Sequence, residues 1–120
     1  MKFTKVTGKS MFKPSFGAKR GTTEFYQATE DGDTLGEIEI KPGNPLEIMS
    51  VFSDYRNRGV GRFLVEKTIE SNPDTDIIVR ATDESFLFWK KMGFVPYDGL
   101  IMVYRKKHLE HINFFKDFEI

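Results

Sequence analysis

The clearest periodicity along this chain is helical. Val60, Phe63, Leu64 and Thr68 fall at helical spacing, with Ile69 one place further on, which predicts an amphipathic helix beginning near Val60. Pro73 ends it, because the residue before a proline avoids the α region. Ahead of that helix the pattern is strand-like. Residues 1–7 predict a short strand, Thr22–Thr29 and Thr34–Lys41 predict two more, and Leu46–Phe52 is a further apolar run. Asp31-Gly32 joins the second and third strands as a hairpin turn, since glycine accepts the positive φ such a turn needs. Gly8–Gly21 is irregular and basic, interrupted by Pro14 and Gly17, and Pro42-Gly43-Asn44-Pro45 is a second loop. Beyond Pro73, Asp76–Ala81 is a short apolar strand. Thr82 or Asp83 can cap a helix running to about Met92, with Gly93 as its C′ residue. Phe94–Pro96 and Leu100–Arg105 predict two last strands joined near Asp98-Gly99.

This order predicts an α+β fold, a mixed sheet with few helices. The strand–helix–strand unit from Leu46 to Ala81 is expected to be parallel and right-handed, and the other connections to be hairpins. The 120 residues are enough for one packed core and too few for two. Residues 1–106 are read as the domain and 107–120 as a tail. In the tail Leu109, Ile112 and Phe115 share one helical face, suited to docking on the body or on a partner, and a homodimer stays open.

Composition narrows the chemistry. Twelve Phe predict an aromatic-rich core, and the absence of Cys excludes disulfides, thiolate metal sites and a cysteine nucleophile. No apolar run approaches the ~20 residues of a membrane helix, and the amino terminus lacks the apolar stretch of a secretory signal. A cytoplasmic location is the default expectation, with no membrane partner. Net charge is zero but unevenly spread: residues 1–20 hold six Lys or Arg and no acid, and residues 21–40 hold six Asp or Glu and no base. The basic arm reads as surface rather than as a nucleic-acid site, and the acidic stretch as a solvated hairpin. The sharper alternative is an acidic patch that attracts a cationic substrate. Both histidines, His108 and His111, lie in the tail with no third ligand evident, so no metal site and no Ser–His–Asp arrangement is expected.

The most informative stretch is Arg56-Asn57-Arg58-Gly59-Val60-Gly61, between the Leu46–Phe52 strand and the helix. Small residues at a turn let backbone approach a ligand. A helix start directly after them presents unpaired N–H groups, the arrangement that cradles phosphate. Arg56, Arg58 and Arg62 add positive charge. The segment reads as a pyrophosphate-binding loop.

This arrangement resembles the GNAT superfamily of acetyl-CoA-dependent N-acetyltransferases. Its acyl-CoA signature, Arg or Gln, two residues, Gly, one residue, then Gly or Ala, stands here as Arg56-x-x-Gly59-x-Gly61. Leu46-Glu47 through Arg56 looks like the corresponding stretch of the spermidine/spermine acetyltransferases. Phe88-Trp89-Lys90-Lys91-Met92-Gly93-Phe94 resembles the family's Phe/Leu-Tyr-x-Lys-x-Gly-Phe segment, and Ala81-Thr82 resembles an Ala-Ser/Thr variant. The resemblance covers roughly residues 22–106. It implies a mostly antiparallel sheet with one parallel, splayed strand pair, binding acetyl-CoA as cosubstrate. Main-chain groups of Met49 and Val51 are expected to bond the pantetheine arm, and the Val51 amide to polarise the thioester carbonyl. Amides of Asn57, Arg58, Gly59, Val60 and Gly61 are expected at the pyrophosphate, with Arg56, Arg58 and Arg62 nearby and Phe88 packed beside the cofactor. Glu47 matches the general-base position of the polyamine branch; its bland reading is a solvated strand residue.

The implied function is transfer of the acetyl group to a primary amine by direct attack. The acceptor is then a small molecule or a protein lysine, and Glu37, Glu39 and Glu47 would favour a cationic one. Two departures stand out. Trp89 replaces the family's usual Tyr, which protonates the leaving thiolate, so Tyr97 or water supplies the proton or the thiolate leaves unprotonated. Only about 45 residues precede the Leu46 strand, so the two helices that line the family's acceptor pocket are reduced to the Gly8–Gly21 loop. These departures motivate the alternative, a catalytically silent CoA-binding module that acts through protein contacts.

Overall fold

The computed structural model of the protein describes residues 1–6, 23–53 and 59–104. Expectations made for Gly8–Gly21, for Arg56, Asn57 and Arg58, and for the 107–120 tail lie outside the described residues. Within them the chain forms β1 (Lys2–Lys5), β2 (Glu24–Glu30), β3 (Asp33–Lys41), β4 (Leu46–Ser53), α1 (Val60–Ser71), β5 (Ile77–Arg80), α2 (Phe86–Lys91), β6 (Val95–Asp98) and β7 (Ile101–Tyr104). These strands make one sheet in the order β1-β2-β3-β4-β5-β7-β6. Only β4 and β5 pair in parallel; the other neighbours are antiparallel. This is the mixed sheet with few helices that the sequence predicts, and α1 is the crossover between the parallel strands.

Asp31 and Gly32 both take positive φ, 52° and 84°, in the β2–β3 hairpin. That is the twist a two-residue turn needs to keep its strands paired. Residues opposite each other across two strands share a side of the sheet. Tyr26, Ile38 and Val51 therefore lie on one side, as do Ile40 and Ile48. Against this apolar side α1 buries Val60, Leu64, Val65, Thr68 and Ile69, close to the predicted set. Phe63 is only partly buried; it meets Phe3 edge-on, and Phe3 stacks on Tyr26 at 4.9 Å. Thr68 can be buried because its hydroxyl donates to the Leu64 carbonyl one turn back, at 2.8 Å.

Gly36 of β3 sets how closely α1 can approach. A Cβ there would lie 2.5 Å from the Phe52 carbonyl oxygen and 2.8 Å from Val60 Cγ1. Only a residue without a side chain lets β4 and the first turn of α1 sit this near. Nothing in the local pattern of β3 announces that requirement, because it comes from elements more than fifteen residues away.

The second helix is shorter than the sequence predicts, with its regular part beginning at Phe86 rather than just after Thr82. Its N-cap is Ser85, and Thr82 closes the turn just ahead of it. The Ser85 amide donates to Thr82 Oγ1 at 3.1 Å and the Thr82 amide donates to Ser85 Oγ at 2.9 Å. This reciprocal pair has the pattern of a capping box but holds the turn of residues 83–85 that leads into the helix. At the other end Phe94 N–H donates to the Trp89 carbonyl and Gly93 N–H to that of Lys90. With Gly93 at φ 98° this is a Schellman termination, and Gly93 is the C′ residue as predicted. Trp89 and Phe94 are buried in the core cluster, their ring centroids 5.2 Å apart. Among the described residues no helix is long and apolar enough to cross a membrane.

Candidate functional site

The site begins where β4 and β5 part. Their pairing runs through Leu46↔Ile77, Glu47↔Ile78 and Ile48↔Val79 and then stops. β4 continues to Ser53, still paired with β3. On its β5 side, Met49, Ser50 and Val51 therefore have no strand partner among the described residues. Met49 is also a bulge: Glu39 pairs with Ser50 and Ile40 with Ile48, which leaves Met49 unmatched on β3. A bulge bends its strand and sharpens the local twist, here at the point of divergence.

A cleft of about 430 Å³ fills the gap, within the size range of small-molecule sites. Ile48, Met49, Ser50 and Val51 form one wall, Val79 and Arg80 the other, and α2 supplies Phe88 and Trp89. Gly61 closes one end: a Cβ there would lie 3.8 Å from both Phe88 Cζ and Val51 Cγ1. That is ordinary contact distance, so it is the space beyond a methyl group that matters at this position.

The start of α1 meets this cleft. Gly59 has φ 74°, a left-handed conformation that favours glycine, and a Cβ there would meet nothing within 4 Å. The first intrahelical bond is Phe63 N–H to the Gly59 carbonyl at 2.9 Å. The amides of Val60, Gly61 and Arg62 thus have no acceptor within the helix. Among the described residues no side chain caps this terminus, and its first turn holds no acidic residue. An exposed anion-seeking end is left beside the parted strands.

The predicted site residues divide into four groups. Met49, Val51, Gly61 and Phe88 line the cleft together, with Gly59 and Val60 at the adjoining helix start. Arg62 does not line it; its Nε bonds Glu66 Oε1 at 2.7 Å one turn along α1, which raises the pKa of its guanidinium through that hydrogen bond and the nearby charge. Arg56, Asn57 and Arg58 lie outside the described residues. Glu47 sits beside the cleft rather than in its wall, on the side of the sheet away from α1, with Arg80 Nε 3.5 Å from its Oε2.

Trp89, where the sequence departs from the family pattern, is both core and cleft wall, with Phe88 edge-on at 5.0 Å. Tyr97, on β6 at the far edge of the sheet, is not among the residues around the cleft. Ser50, Arg80, Thr82 and Ser85 do line it, and the sequence reading placed none of them in the site. Arg80 had a visible signal, since it is a cation closing the otherwise apolar run Ile77-Ile78-Val79.

The three glutamates named from the sequence share the sheet side opposite α1, but they do not form an open acidic patch. Glu37 and Glu39 are 2% and 1% exposed. Gln27 Nε2 donates to Glu37 Oε1 and Ser50 Oγ donates to Glu39 Oε1, each at 3.3 Å.

Comparison with known proteins agrees with this geometry. The family described as acetyltransferase (GNAT) domain matches residues 1–117. Among solved structures, Escherichia coli ElaA is 20% identical with a TM-score of 0.60, covering 71% of this chain and 69% of its own. An acyl-CoA N-acyltransferase from Pseudomonas aeruginosa is 19% identical with a TM-score of 0.62, over 72% of this chain and 74% of that one. The Bacillus subtilis N-acetyltransferase YlbP, solved in complex with coenzyme A, is 24% identical with a TM-score of 0.55, over 68% and 66%. At these identities the likeness is one of fold. No curated protein sequence matches the chain.

Proposed function

Because this chain belongs to the GNAT acetyltransferase family, we propose that it transfers the acetyl group of acetyl-CoA to a primary amine by direct attack. The observation that carries the reading is the meeting of the first α1 amides, which have no acceptor within the helix, with the opened side of β4 around one cleft. Amides of Gly59, Val60 and Gly61, with those of Asn57 and Arg58 before them, would hold the pyrophosphate. Main-chain groups of Met49 and Val51 would hold the pantetheine arm as an added strand does, with Phe88 against it.

The cosubstrate supplies an acyl thioester. A neutral amine attacks its carbonyl carbon: the C–N bond forms, the C–S bond breaks, and coenzyme A leaves as the thiolate or takes a proton. The Val51 amide is suited to the developing oxyanion. An alkyl ammonium with a lysine-like pKa of about 10.4 must first lose a proton, at about 1.36 kcal/mol per pKa unit. Glu47 is the proposed acceptor of that proton, directly or through water. Tyr97 is not among the described residues around the cleft and Trp89 cannot give up a proton at neutral pH, so the proposal keeps two routes: water protonates the thiolate, or it leaves unprotonated.

Two measurements test this. Isothermal titration should show acetyl-CoA binding, and a panel of amines should show CoA release. Binding with no release on any amine would favour the silent module instead. Glu47→Gln should cut turnover by about 100-fold near neutral pH and by much less at high pH, where bulk water already deprotonates the amine. A loss of the same size at every pH would remove Glu47 from proton transfer.

A further inference from the structure

The charge that the acceptor meets is not the one the sequence suggests. Of the three glutamates expected to attract a cation, two are buried and hydrogen-bonded and the third is paired with Arg80. Among the described residues lining the cleft, Arg80 alone is charged. It is the last residue of β5, just past the final β4–β5 pair, and its side chain is 74% exposed. It approaches Glu47 through Nε, at 3.5 Å. The N–H groups at the end of the guanidinium fork remain suited to a second, planar anion.

Resting on the transfer reading above, we infer that Arg80 sets the acceptor class: an amine that carries an anionic group, carboxylate or phosphate, a short spacer away. Glu47 faces the amine and Arg80 the anion. Because the two side chains are in contact, the groups they bind must also be close together, which favours a short spacer over a long one. A polyamine fits poorly, since its second cation would be brought against the guanidinium with no open carboxylate among the described residues of the cleft wall to receive it.

The test is a set of matched amines assayed by CoA release. β-Alanine is compared with β-alaninamide, phosphoethanolamine with ethanolamine, and ε-aminocaproate and spermidine serve as long-spacer and polycation arms. The wild-type protein should prefer the anionic member of at least one matched pair by about 10-fold or more in kcat/KM, the scale of one charge-assisted bond. Whichever pair responds identifies the anion. In Arg80→Gln that ratio should fall to near one, mainly through KM.

A merely supportive role for Arg80, holding Glu47 in place, would lower both members of a pair together and keep their ratio; that result overturns the inference. So does a preference for spermidine or ε-aminocaproate over β-alanine and phosphoethanolamine, or a loss of acetyl-CoA affinity in Arg80→Gln as large as its loss of activity. CoA release without discrimination between matched amines would sink this inference alone. Acetyl-CoA binding with no release on any amine would sink the transfer reading and this inference with it.

Discussion

One strand, β4, has two unlike neighbours. With β3 it is paired from Glu47 to Ser53, and with β5 only from Leu46 to Ile48. The first interface is a ladder interrupted at the Met49 bulge, and it serves as scaffold. The second is begun by the same strand and then abandoned, and the abandoned half faces the cleft. Both outcomes come from ordinary chemistry. β3 offers nine residues of extended chain, while β5 offers four before Ala81 and the turn that Thr82 and Ser85 hold. A strand whose neighbour ends early keeps donors and acceptors that something else must satisfy.

Substitutions can break that contrast from either side. The largest effect belongs to the scaffold: Gly36→Ala places a methyl 2.5 Å from the Phe52 carbonyl, a backbone atom that cannot swing aside. Overpacking of this kind costs about 1–3 kcal/mol, so thermal denaturation should show Tm lower by about 4–8 °C for each kcal/mol lost. An unchanged Tm would mean that α1 is not seated as described.

On the open side, Gly61→Leu should leave Tm nearly unchanged yet weaken acetyl-CoA binding by about 10-fold or more, read by calorimetry. Its side chain would extend between Phe88 and Val51. Gly61→Ala should lose far less, because a methyl there makes only ordinary contacts. Equal losses in the two variants would show that the backbone, and not the space, is what matters at this position.

The smallest effect is expected far from the cleft, at Lys5. Its Nζ donates to Glu24 Oε2 at 2.9 Å across β1 and β2. That hydrogen bond, and then the charge of Glu24, raise the pKa of Lys5 above its ordinary value of 10.5. A pKa raised by folding stabilises the fold fully below the unfolded value, and the benefit is lost as pH rises through the folded one. Lys5→Met should therefore cost a little stability at neutral pH and nothing once both forms are deprotonated in strong alkali. Acetyl-CoA affinity should not respond. A response would couple the far edge of the sheet to the cleft.

What the sequence revealed and what it hid follow the same division. The helical spacing from Val60 to Ile69, the Asp31-Gly32 turn and the Gly93 termination are local, and each appears where the residues predict. The Gly59–Gly61 start of α1 and Phe88 were found through a motif, and the fold brings Gly61 and Phe88 to one cleft. Arg80 beside Glu47 could not be read this way, because it depends on the register between strands separated by a whole helix. The burial of Glu37 and Glu39 was hidden for a related reason. Alternation along β3 separates its two sides but does not say whether the side away from α1 is wet. Gly36 resembles any glycine in a strand until β4 and α1 are laid beside it.

The unmatched residue at Met49 carries a consequence of its own. Because it is one residue more than the ladder with β3 needs, Ile48 and Val51 face the same way despite being three apart. Excising Met49 would leave each remaining side chain on its present side, since ordinary alternation would then do what the extra residue does now. Only the kink would go. The bend of β4 is thus a matter of counting, one amino acid of slack in a single strand, and a shortened β4 could keep its core while losing the kink at the point where it leaves β5.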